Sequence, residues 1–183
     1  MANERTLRAD ARQNRARVLE VAAEVFATEG LSVPVHEVAR RAGVGTGTVS
    51  RHFPTKEDLL VAVMSARLVA LTAKADELAR EKDPATAFVG LFAALSRAGA
   101  ADCGLAELAA AGARLDAIDR RAGADLCGWL QRFLTAAQDA GAVRPDVTYA
   151  DVRALMSACM SRGSAGLEPI LAVVTDGLLM PRP

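Results

Sequence analysis

Between His36 and Lys56 the chain carries hydrogen-bonding and cationic side chains at spacings that keep them outside two short helical patterns: His36, Thr46, Thr48, Ser50, Arg51, His52 and Lys56, with Gly47 among them. Held on one exposed face, such groups can hydrogen-bond base edges and neutralise phosphates. The first pattern places Val35, Val38 and Ala39 on one face and turns Arg40 and Arg41 to water. Gly43 supplies the left-handed residue that ends a helix without a Cβ penalty, and Val44 plugs the corner. After Gly45, Thr46 is expected to cap a second short helix, with Val49 and Phe53 inward and Thr48, Ser50, Arg51 and His52 outward. This is the layout of a helix-turn-helix, whose second helix offers its N-terminal side chains to the major groove.

Two local oddities point the same way. The fourth helix should open at Thr55, a hydroxyl cap followed by Glu57 and Asp58, yet Lys56 sits among them, where the helix dipole disfavours a cation by roughly 0.3–1 kcal/mol. A phosphate held jointly by the ammonium group and the helix start accounts for it; a solvated lysine is the plainer alternative. Gly47 costs about 1 kcal/mol relative to alanine inside a helix and would let the backbone approach DNA closely. Gly43, Gly45 and Gly47 do not make a dinucleotide-binding loop, because that fingerprint needs G-x-G-x-x-G after a strand, and a helical pattern precedes them here.

The elements that must carry these groups are all helical. Hydrophobic residues make up 51% of the chain and aromatics only 4%, which favours closely packed helices over a sandwich of strands. Net charge is zero but segregated: residues 1–56 carry +3 and the remainder −3, as a DNA-binding head and an acidic body would require. We therefore place a helix-turn-helix domain with a basic arm at 1–56 and a helical body at 57–183. Arg5, Arg8, Arg12 and Arg15 recur every three or four residues, so a helical extension of the first helix would carry them as a phosphate-seeking stripe, with Arg17 beside it; a tail without defined contacts is the alternative.

About nine helices are expected. The first spans Arg12 to Thr28 and stops at Gly30; the fourth runs from Lys56 to about Lys82 with Leu60, Met64, Leu68, Leu71, Ala75 and Leu78 inward. Asp83-Pro84 starts the next, Ala101 to Ala111 forms a weaker one, and a single long helix continues to about Asp139. Thr148-x-x-Asp151 opens another, and Pro169 opens the last. That last helix, apolar nearly all round, is too short for a bilayer, which needs about twenty residues, and calls for burial by a second copy. Cys103, Cys127 and Cys159 fit reduced, buried thiols, with redox sensing the sharper reading. Both histidines lie in the head and no carboxylate cluster or nucleophile motif marks the body, so no catalytic residue, metal site or cofactor is assigned and an enzyme is not expected. No apolar targeting segment precedes the head, and a cytoplasmic protein is expected.

The motif TGTVSRHFPTKEDLL, Thr46 to Leu60, resembles the tetracycline-repressor (TetR) family of bacterial regulators, most strongly across residues 12–64. The resemblance implies an all-α fold, a helix-turn-helix head and a body that binds an effector and dimerises. It carries DNA contact to His36, Thr46, Gly47, Thr48, Arg51, His52 and Lys56. At Ser50 the family most often has a backbone-contacting tyrosine; serine keeps the hydroxyl and loses reach and stacking area. In the family the last two helices of each subunit pair into a four-helix interface, which here implicates Val152, Leu155, Met156, Ile170, Val174 and Leu178. Met64, Leu68, Phe88, Phe92, Leu126, Trp129 and Phe133 gather the large apolar side chains and are expected to line the effector pocket, or else to be plain core. The leading reading is a homodimeric repressor released from a palindromic operator by a small, mostly apolar effector. An all-α ligand-binding or scaffold protein without sequence-specific DNA binding is the alternative.

Overall fold

Leucine, valine and alanine at intervals of three and four residues fold this chain into helices, and a computed structural model describes residues 2–180, with side chains from Asp10 onward. Among the described residues there are ten: α1 (Ala2–Glu29), α2 (Val35–Arg41), α3 (Thr46–His52), α4 (Lys56–Glu81), α5 (Pro84–Ala100), α6 (Cys103–Ala110), α7 (Ala113–Ala122), α8 (Leu126–Asp139), α9 (Tyr149–Met160) and α10 (Gly163–Leu178). The first three make the head, in which Val18, Ala22, Phe26, Val38 and Val49 are buried together. α5 is the axis of the body and packs against α4, α6, α8, α9 and α10. An isolated antiparallel bridge, Val143 to Leu179, ties the loop before α9 to the end of α10.

Outside the helix-turn-helix, three boundaries differ from the sequence expectation. The long helix expected up to Asp139 is two helices, which makes ten rather than nine. Gly123 takes φ +69°, and the N–H groups of Gly123 and Ala124 turn back to the carbonyls of Arg120 and Asp119. Such a left-handed stop ends a helix whatever the periodicity beyond it. Asp119 then accepts from the N–H groups of Leu126 and Cys127 and starts α8. α10 begins six residues before Pro169, which lies inside it. A proline inside a helix forgoes one backbone bond, and here burial of Leu167 and Leu171 continues the helix across it. Finally, α1 extends back to Ala2, so the basic residues do ride on a helix; the side chains of Arg5 and Arg8 lie outside those described.

Candidate nucleic-acid interface

α2 stops where the sequence requires. The N–H of Gly43, at φ +67°, returns to Arg40, and that of Val44 to Ala39, which sets α3 across α2. The cap of α3 differs from expectation: Gly45 is the N-cap, no side chain caps the helix, and Thr46 is its first helical residue. The Thr46 side chain caps nothing. Thr46, Gly47, Ser50 and Arg51 are exposed, as is His36 on α2, while Thr48, His52 and Lys56 are half-buried. All eight residues therefore reach the surface of the head, on α2, α3 and the first turn of α4. A Cβ at Gly47 would meet nothing within 4 Å, so no internal packing explains a glycine there.

Arg40 and Arg41, by contrast, are occupied. Arg40 chelates Glu37 at 2.7 and 2.8 Å, and Arg41 bonds both Glu37 and Glu29. The two guanidinium groups hold the Glu37 carboxyl down at about 2. Arg15 lies 5.2 Å over the Phe53 ring, which fixes α1 against the end of α3; Arg12 and Arg17 are exposed.

α4 opens as the sequence dictates. Thr55 Oγ1 accepts from the N–H of Asp58 at 3.1 Å, and Asp58 Oδ2 accepts from the N–H of Thr55 at 3.0 Å. Burial, then the Arg114 guanidinium, lower the Lys56 pKa, against an opposing pull from Glu57 and Glu107. The sequence did not reveal that the first turn of α4 is also bound to the body. Glu57 pairs with Arg114 at 2.9 Å, and Asp58 with Arg121 at 2.6 Å. Two further contacts join body and head: Glu107 accepts from the N–H of Leu31 at 2.8 Å, and Arg67 joins the carbonyl of Ala23 to Asp102. Long-range ion pairs leave no periodic trace in a sequence; the one available signal was the unusual density of arginine and aspartate between Arg114 and Arg121.

The residues expected to line an effector pocket are brought together, but as packed core. Met64, Leu68, Phe88, Phe92, Leu126 and Phe133 are buried. Trp129 is only half-buried, between the ring of Phe133, tilted by 59° with centroids 5.3 Å apart, and the guanidinium of Arg132, 4.3 Å from its ring. None of the seven lines either of two open grooves, one of about 720 Å³ between α6 and α9 and one of about 440 Å³ between α9 and α10. Large apolar side chains close over one another when nothing separates them, so core and empty pocket share one sequence signature. Ser96, on α5, is wholly buried and its hydroxyl has no partner among the described residues. Its counterparts Ser65, Thr72 and Thr175 all bond a carbonyl one turn back.

Of the expected dimer-forming residues, Val152, Met156 and Leu178 are buried in the protomer's own core. Leu155, Ile170 and Val174 are half-buried, and Val173, at 72% exposure, projects beside them. A period of 3.6 shows which residues are apolar, not which of two adjacent faces looks inward. Among the described residues no single helix is long and apolar enough to cross a membrane.

Residues 18–63 match the family described as bacterial regulatory proteins, tetR family, and residues 83–180, more than half of the chain, match the C-terminal domain described as transcriptional regulator SbtR-like. The chain belongs to the tetR family of regulators. It is similar to the crystal structure of a TetR transcription regulatory protein from Mycobacterium vanbaalenii, with 44% identity, 95% of this chain and 99% of that one covered, and a TM-score of 0.55. A TetR regulator from Streptomyces coelicolor is 29% identical over 92% of this chain and 99% of that one, again with a TM-score of 0.55. An HTH-type transcriptional regulator of Staphylococcus aureus is 38% identical over 63 residues, 34% of each chain. The chain thus spans about a third of the length of such curated relatives.

Proposed function

We propose that this regulator binds an inverted-repeat operator as a homodimer in the cytoplasm, represses from it, and is released by a small, mostly apolar effector. The observation that carries the reading is the block of α2, α3 and the start of α4. Its exposed residues include hydrogen-bonding and cationic side chains, its one helical glycine has no internal reason, and its carboxylates are paired, Glu37 with Arg40 and Arg41, Glu57 with Arg114 and Asp58 with Arg121. His36, Thr46, Thr48, Ser50, Arg51 and His52 would meet bases or backbone, and Lys56 a phosphate. A second copy suits the apolar edge of α9 and α10, where Val173 stands exposed beside Leu155, Ile170 and Val174. The effector would enter the body core by parting side chains such as Phe88, Phe92 and Phe133, and Ser96 is the polar atom it would meet there. Selecting bound fragments from random DNA with the purified protein tests this reading. An enriched palindrome supports it, whereas uniform, salt-sensitive binding would favour a ligand-binding or scaffold protein without sequence-specific recognition.

A further inference from the structure

The charges of α7 point two ways. Arg114 and Arg121, two turns apart, share the face turned to the head: Arg114 Nε and Nη2 lie 3.0 and 2.9 Å from Glu57 Oε1, and Arg121 Nη2 lies 2.6 Å from Asp58 Oδ1. Asp116 and Asp119 face the body. Asp116 accepts from Arg153 of α9 at 2.8 Å and from the Cys127 thiol at 3.4 Å. Asp119, 3% exposed, accepts from the first N–H groups of α8 at 3.3 and 3.0 Å. A ten-residue helix, bounded by positive-φ Gly112 and Gly123, thus grips the start of α4 with one face and the starts of α8 and α9 with the other.

What it grips at the head is the turn that carries Lys56. Asp58 is both the capping partner of Thr55 and the partner of Arg121, and Glu57 follows Lys56 directly. Ion pairs this exposed add little to stability, so their value lies in position. Glu57 Oε2 is buried with no hydrogen-bond partner among the described residues.

We propose that Arg114 and Arg121 are positioning residues of the DNA-binding face. By holding Glu57 and Asp58 they fix the first turn of α4, and so Lys56. The proposal rests on Lys56 meeting a phosphate, as argued above. It differs from a simple tilt of α4, because it places the control at the near end of that helix.

The test is a mutant cycle read by titrating selected operator DNA at several salt concentrations with Lys56→Ala, the pair Arg114→Gln and Arg121→Gln, and the triple variant. Lys56→Ala should lower the salt slope by about one unit, which is about tenfold in affinity at 0.1 M salt. The glutamine pair should weaken binding by about the same factor, and the triple variant by no more than either. Losses that multiply would mean that the arginines touch DNA themselves, and an unaffected glutamine pair would mean that they position nothing; either overturns the proposal. A normal Lys56→Ala would instead overturn the phosphate contact on which it rests. If the glutamine pair melts early, exchanging Glu57→Arg with Arg114→Glu serves: binding should recover relative to Arg114→Glu alone, and no recovery refutes positioning.

Discussion

The head and the body of this regulator were built from the same helical periodicity but differ in how their functional residues stand out. In the head, the residues read as functional are those with no internal work: exposed Thr46, Ser50 and Arg51, and a helical Gly47 with open space around it. In the body, the corresponding residues are the core itself. A protein that recognises with its surface advertises the fact in its sequence; one that recognises with its interior does not.

The sharpest way to break this contrast is to truncate one residue of each kind. Phe92→Ala removes a fully buried ring and should destabilise by about 3–5 kcal/mol, whereas Thr48→Ala should stay within about 0.5 kcal/mol and act on DNA binding instead. Urea unfolding of both variants checks this. A mild loss at Phe92 would indicate an open cavity around it and restore the pocket expected there.

Next in size is the apolar edge. Val173→Glu leaves the protomer's core untouched, so it should dissociate the dimer at a cost on the order of 3 kcal/mol without lowering secondary structure. Sedimentation of the unmodified protein as a monomer at micromolar concentration would contradict it.

The cysteines sharpen the comparison further. Burial and the neighbouring Asp119 push the Cys127 thiol up to about 12, which leaves about one thiolate in 10⁵ at pH 7, and burial raises Cys159 as well; Cys103 is exposed at the start of α6. A thiol reagent should therefore label one cysteine quickly at neutral pH, with Cys127 reacting only as pH approaches 12. Mass mapping showing Cys127 labelled first would overturn the burial argument and revive a redox role. The smallest effect is expected at Ser96→Ala, which should leave stability unchanged or raise it by about 1 kcal/mol, since it removes an unpaired buried hydroxyl.

Local chemistry made much of the fold legible. Thr55 with Asp58, Asp83 with Pro84, and Thr148 with Asp151 each open a helix where their side chains can reach the first N–H groups. Gly30 and Gly43 close theirs in the left-handed conformation. What failed was of two kinds. Gly123 leaves no trace in the pattern because apolar residues on both sides keep the helical period, and a φ of +69° overrides a period. The contacts of Arg114, Arg121 and Glu107 with the head join residues 57 to 76 positions apart, and a pattern read over a dozen residues cannot contain them.

In the function proposed above, the outward face of α3 reads bases while Lys56 only holds the backbone. This is tested most directly by the ratio of affinities for selected operator and random DNA, measured at matched salt for the unmodified protein, Thr48→Ala, Arg51→Ala and Lys56→Ala. The ratio should fall by about tenfold or more for Thr48→Ala and Arg51→Ala, as the loss of a base contact of about 1–3 kcal/mol requires, and stay nearly constant for Lys56→Ala. Equal losses on operator and random DNA for all three variants would contradict the account.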